Sequence, residues 1–233
     1  MRRSSAAIIS CVSQPSLDDL LGGELQLHTD AHGLPASWQL GTDVLRVLDE
    51  SVNESSSTLE TGEGLSTMLF ALRRAQHTCV TPNAGAVGRI RSACDARGIP
   101  LDTVNFVIGP SELVLPGLDL APLDAVLIDG RHGFPAPFID YYYTADAVKV
   151  GGLVIVDDTQ LWTGRVLREF LEAEPEWRLM HDFAPRSAIF LRTHPGGRDK
   201  EWNDQPYVLQ QPVVGSATRF SRRRAVLDRL LGR

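Results

Sequence analysis

Short apolar runs alternate with amphipathic stretches through the middle of the chain, and this alternation predicts the fold. The runs at 58–61, 78–81, 104–108, 123–128 and 153–156 read as strands, and Ala125 to Ile128 and Leu153 to Val156 have the length and β-branching of buried parallel strands. Between them, 65–75, 85–97 and 138–148 read as helices and 111–115 as a helical turn, with one more helix over 163–173. An earlier helix begins at Thr42, a capping residue followed by apolar positions at helical spacing, and stops near the serine-rich stretch 53–57. Strand, helix, strand in repetition predicts a parallel sheet with helices on both faces. The last two strands, Trp177 to Phe183 and Ser187 to Arg192, are separated only by Ala184-Pro185-Arg186. That link is too short for a helical crossover and predicts an antiparallel hairpin at one edge. The expected architecture is α/β, a doubly wound sheet of seven strands, mostly parallel, with a C-terminal antiparallel hairpin.

Residues 1–41 lack this periodicity and carry Gly22-Gly23, Gly33 and Pro35, so they read as an N-terminal extension or lid with one short helix near Leu17. His28 and His32 lie four apart, a spacing that would suit a metal on a helix, but Gly33 and Pro35 favour a loop with solvent-facing or lid histidines. Residues 42–193 form the expected main domain, and 194–233 a C-terminal extension, irregular at first. It ends in an amphipathic stretch with Arg222, Arg223, Arg224 and Arg229, suited to an acidic partner, a second subunit in a homo-oligomer, a membrane surface or solvent.

Composition narrows the class of function. At 233 residues the chain suits one large domain with extensions, and 43% hydrophobic with 22% charged residues is ordinary for a soluble protein. The net charge of −6 argues against a general nucleic-acid binder. Charge is uneven: from His194 onward 8 Lys and Arg face 4 Asp and Glu, against 15 and 25 before it. Cys11, Cys79 and Cys94 lack metal-binding spacing and suggest reduced thiols in a cytoplasmic protein. The start of the chain does not read as an export signal, and no segment is apolar enough to span a bilayer.

Candidate chemistry gathers at strand ends. Asp129 follows the strand 123–128, Asp157 and Asp158 follow 153–156, and His132 lies three residues beyond Asp129. If those strands are neighbours, about 4.8 Å apart, the three carboxylates share one sheet edge, the edge where open α/β sheets bind ligands. Three acids with an imidazole suit a hard cation beside a general base. A glycine turn, Glu60-Thr61-Gly62-Glu63-Gly64-Leu65-Ser66-Thr67, links the first strand of the alternation to its helix. Its glycines allow close backbone approach to a ligand, and the helix start with Ser66 offers donors. A dinucleotide site would want glycine at Thr67 and an acid after the next strand, which instead ends Thr81-Pro82-Asn83. Glu60 disfavours pyrophosphate and suits a cationic ligand.

Together the glycine turn, Ile128-Asp129-Gly130, the run Val150 to Thr159 and the terminal hairpin resemble the class I S-adenosylmethionine-dependent methyltransferases, over roughly residues 42–193. The resemblance implies a Rossmann-like sheet and S-adenosylmethionine as cofactor. Glu60, Gly62 and Gly64 would contact its methionine part, Asn83 its ribose, and the loop with Ser111 its adenine; Asp129 would border the same site. The family usually has an acid at the Asn83 position and often one directly after the glycine of the adenine loop, where this chain has Pro110. Asp129-Gly130-Arg131-His132 with Asp157-Asp158 is similar to the metal-dependent O-methyltransferases of macrolide sugars. That similarity implies Mg²⁺ on Asp129, Asp157 and Asp158, with His132 as base.

The expected activity is methyl transfer to a hydroxyl of a small natural product, a sugar or polyol. A divalent ion lowers the hydroxyl's pKa and an imidazole accepts its proton. Two rivals remain: metal-free O- or N-methyl transfer, and a non-catalytic binding protein of the same fold. Strand-end acids also cap helices, as Asp158 could for 163–173, and His132 could bond its own loop. Tyr141, Tyr142 and Tyr143 suit packing against the sheet, Trp162 a substrate wall, and Trp177 the core.

Overall fold

The computed structural model describes residues 15–23, 25–29, 32–196 and 200–212, so Cys11 and the arginine-rich stretch expected to be a terminal helix lie outside the described residues. The described chain opens with helix α1 (Leu17–Leu21) and the strands β1 (His28–Thr29) and β2 (Pro35–Ala36), paired antiparallel. Ser16 and Asp19 cap α1 reciprocally, Asp19 N–H donating to Ser16 Oγ and Ser16 N–H to the Asp19 carboxylate at 2.7 Å. Helix α2 (Thr42–Ser51) follows, with Gly41 rather than Thr42 at its N-cap.

Then come β3 (Ser57–Thr61), α3 (Leu65–Leu72), β4 (Gln76–Thr81), α4 (Ala84–Asp95), β5 (Val104–Ile108), α5 (Ser111–Val114) and β6 (Leu123–Ile128). The chain continues through α6 (Ala136–Thr144), β7 (Val148–Val156), α7 (Trp162–Ala173), β8 (Trp177–Phe183), β9 (Ser187–Arg192) and α8 (Pro206–Gln210). The large sheet has seven strands in the order β5-β4-β3-β6-β7-β9-β8, parallel from β5 to β7 and antiparallel at β9 and β8. The chain winds outward from β3 to β5 and then returns to β6, so the loops after β3 and β6 diverge and open a crevice at their carboxyl ends.

Successive residues of one strand serve opposite faces, and both faces are buried. On one face Ala125 and Leu127 of β6 and Ile155 of β7 pack with Leu45, Leu48, Leu69, Phe70 and Ile90 from α2, α3 and α4. On the other, Val126 and Ile128 with Val154 and Val156 pack with Leu167 and Leu171 of α7. Each such side chain, buried fully, contributes about 1.5–3 kcal/mol, which holds the strands in register. β7 starts five residues earlier than the apolar pattern indicated. Val148 pairs with Leu123, the register then slips, and Ala125 pairs with Leu153, with Gly151 at φ +88° inside the irregular stretch. Gly151-Gly152 therefore forms a bulge within one strand.

Candidate functional site

A cavity of about 550 Å³ lies at the carboxyl ends of β3, β4, β6 and β7. Its walls include Gly62 and Glu63 of the glycine turn, Thr81 and Asn83 after β4, Ser111, the cluster of Asp129, His132 and Asp158, and His28 and Trp38 of the N-terminal hairpin.

The glycine turn begins where β3 ends. Gly62 has φ +94°, and a Cβ there would lie 2.2 Å from the Asp129 carbonyl oxygen, so the turn and the strand end after β6 are in backbone contact. Alternation along β3 turns Glu60 inward. Its carboxylate accepts from Ser66 at 2.6 Å and from Thr67, and lies 3.1 Å from His77 Nε2, whose Nδ1 is 2.8 Å from Thr58 Oγ1. Glu60 and Ser66 thus satisfy each other beneath the turn and neither lines the cavity. Glu63, which the sequence did not single out, is the acid of this motif that does. Its Oε2 accepts from Thr81 Oγ1 at 2.5 Å, and burial pushes its carboxyl above the usual range. Gly64 has extended backbone and lies below His28, whose Nε2 would be 3.1 Å from a Cβ there. Burial, with Arg89 nearby, holds the His28 imidazole below its ordinary pKa.

Asn83 caps α4, its Oδ1 accepting from Ala86 N–H at 3.0 Å, and its side chain borders the cavity. Ser111 opens α5 on the same wall. Below it Asp140 accepts from Thr61 Oγ1 at 2.7 Å, and burial raises its pKa.

The acids after β6 and β7 meet because Ile128 and Val156 are paired and Asp157 N–H donates to the Ile128 carbonyl at 3.1 Å. Asp158 sits at φ +52°, a left-handed conformation that aspartate tolerates better than most residues and that returns its carboxylate to the cavity. There Oδ2 is 2.9 Å from His132 Nε2, and Asp129 Oδ1 is 3.9 Å from the same nitrogen. A carboxylate only accepts, so Nε2–H donates to Asp158 and Nδ1 is left to take a proton. The hydrogen bond from His132 holds Asp158 below the ordinary carboxylate range. Asp129 is pushed well above it, by burial first and then by the charges of Asp157, Asp158 and Glu60. Thr163 of α7 donates to the His132 carbonyl at 2.5 Å and so fixes the loop that carries the imidazole.

Asp157 faces away from this group. Its carboxyl accepts from Ser187 Oγ, lies 3.5 Å from Arg186 in the β8–β9 turn, and does not line the cavity. Arg186, also missed from sequence, reaches over to Asp158 at 3.8 Å. One donor atom each from Asp129, His132 and Asp158 lies within 4.8 Å of the others, and Asp157 of the expected triad is not among them. The carboxylates of Asp129 and Asp158, with the imidazole beside them, fit a divalent cation, whose charge would relieve the repulsion among these acids. Phe134, two residues beyond His132, and Trp162, at the start of α7, have ring centroids 6.2 Å apart; both are well exposed and neither lines the cavity.

Residues 59–159, from β3 through the acids after β7, match the family model described as a methyltransferase domain. A comparison with curated proteins finds no match. Among solved structures, cofactor-bound Rv0187 from MTB is similar at 19% identity and a TM-score of 0.60, over 77% of this chain and 99% of that one. The O-methyltransferase TomG from Streptomyces achromogenes, involved in tomaymycin synthesis and solved with SAM, is similar at 17% identity and a TM-score of 0.58, over 76% and 89%. An rRNA methylase from Streptococcus thermophilus is similar at 13% identity and a TM-score of 0.51, over 65% and 95%. The sheet order and the matched segment agree: residues 59–159 match a methyltransferase-domain model, and the strands that carry them form a Rossmann-like sheet.

Proposed function

We propose that this chain is an S-adenosylmethionine-dependent O-methyltransferase acting on a small hydroxylated natural product, a sugar or polyol, with Mg²⁺ assistance and His132 as general base. The observation that carries the reading is the presence of the glycine turn and the Asp129, His132 and Asp158 cluster in the walls of one cavity. S-Adenosylmethionine supplies a methyl group on a sulfonium centre, and Mg²⁺ held by Asp129 and Asp158 would lower the pKa of the acceptor hydroxyl.

The chain's own part is to orient and to remove a proton. Asp158 fixes the imidazole through Nε2–H, so that Nδ1 accepts the hydroxyl proton as oxygen attacks the methyl carbon. Thr163 holds the backbone of that residue, and Asp158 stabilises the imidazolium that results. The exposed rings of Phe134 and Trp162, outside the cavity lining, offer a surface on which the C–H face of a sugar stacks. The net charge of −6 and the acids at the mouth favour such a neutral acceptor over RNA.

A metal-free reading is favoured by one distance. The 2.9 Å contact between His132 and Asp158 already forms an acid–imidazole pair, sufficient for a more acidic hydroxyl or an amine. Chelation separates the two readings. Transfer from S-adenosylmethionine to a panel of sugars and polyols is expected to fall sharply on EDTA treatment and return on adding Mg²⁺. Full activity in EDTA would leave the acid–imidazole pair as the sole catalytic device. Absence of S-adenosylhomocysteine binding in calorimetry would overturn the methyltransferase reading.

A further inference from the structure

The end of β4 supplies no acid to the cavity. Thr81-Pro82-Asn83 carries only a hydroxyl and an amide, and Asn83 Oδ1 is already occupied in capping α4, 3.0 Å from Ala86 N–H. Yet a carboxylate stands at that place. Asn83 N–H donates to Thr81 Oγ1 at 3.0 Å, and Thr81 Oγ1–H donates to Glu63 Oε2 at 2.5 Å, a relay that draws the Glu63 side chain from the glycine turn onto the β4 end. Glu63 Oε1 faces His28 Nδ1 at 3.9 Å, beyond hydrogen-bond reach, and the carboxylate's donors are the side chains of Thr81 and Asn83, which leaves lone pairs of its two oxygens for a ligand. A vicinal diol presents two O–H donors side by side, and a carboxylate is the side chain that accepts both.

Resting on the cofactor reading above, we infer that Glu63 binds the ribose hydroxyls of the S-adenosyl group, supplying from the glycine turn the acid that the β4 end lacks. The buried Thr81 hydroxyl acts as its positioning residue, and Asn83 contributes through the cap and the relay rather than by accepting from the ribose.

The test is calorimetry with two probes, S-adenosylhomocysteine and its 2′,3′-dideoxy analogue, on the full chain. Glu63→Gln keeps the shape and the Thr81 contact but loses the charge. It is expected to weaken S-adenosylhomocysteine by about 10- to 100-fold and to leave the dideoxy analogue unchanged. Adding Asn83→Asp, which keeps a helix-capping oxygen, is expected to recover part of the lost affinity. If Glu63→Gln fails to fold by circular dichroism, Glu63→Asp, one methylene shorter, gives the same comparison and is expected to show the same selective loss. Equal affinity of parent and variant for S-adenosylhomocysteine, or equal losses for both probes, would overturn the assignment of Glu63 alone. A parent chain that binds neither probe would overturn the cofactor reading and this inference together.

Discussion

His132→Ala is expected to lower methyl transfer by about 10²- to 10⁴-fold while leaving S-adenosylhomocysteine affinity near that of the parent. The imidazole's partner Asp158, 2.9 Å away, is held below the ordinary carboxylate range and is therefore a poor base. Glu63 and Asn83, on the β3–β4 side of the cavity, are untouched by the change. Single-turnover rates of parent and variant check the assignment. A variant with an unchanged rate would show that the proton leaves by another route. Direct titration with Mg²⁺ gives a second readout: lost ion affinity would make His132 a ligand rather than a base.

Gly62→Ala is expected to destabilise the fold by about 2–4 kcal/mol, combining a left-handed backbone with overpacking. The added Cβ would stand 2.2 Å from the Asp129 carbonyl oxygen, and neither backbone can yield without moving β3 against β6. Gly64→Ala provides the contrast. Its backbone is extended, and the nearest atom, at 3.1 Å, is the far end of the His28 side chain, which can turn aside. A cost under about 1 kcal/mol is expected there. Urea unfolding of both variants measures the difference, and equal midpoints would refute the contact argument. Displacement of Asp129 by Gly62→Ala also predicts loss of transfer in whatever fraction folds.

The centre of the sheet was legible because β6 and the second half of β7 are buried on both faces and therefore read as continuous apolar runs, each ended by an acid. The start of β7 was not, because Gly151-Gly152 reads as a loop in sequence and forms a bulge in the structure. At the site, sequence gives the positions of acids but not the directions of their side chains. Glu60 and Glu63 stand three apart in one motif. The first is turned inward by strand alternation and consumed by Ser66, Thr67 and His77, while the second, beyond the strand end, reaches the cavity. The even spacing of Thr58 and Glu60, both buried on one face, was the available signal. Asp157 and Asp158 are adjacent yet diverge, because a left-handed residue follows a strand and because Ser187 and Arg186 claim the first. His28 and Trp38 reach the cavity from a segment with no periodicity to read, held there by a two-residue strand pair.

The C-terminal hairpin has a bearing on where the chain can be shortened. Asp157 finds its hydroxyl partner at Ser187, thirty positions downstream, and its cationic neighbour at Arg186 beside it. Arg186 also reaches Asp158 and lines the cavity. The antiparallel edge thus closes the pocket wall and supplies a counter-charge to the strand-end acids, and a chain truncated before Ala184 is expected to carry an incomplete site.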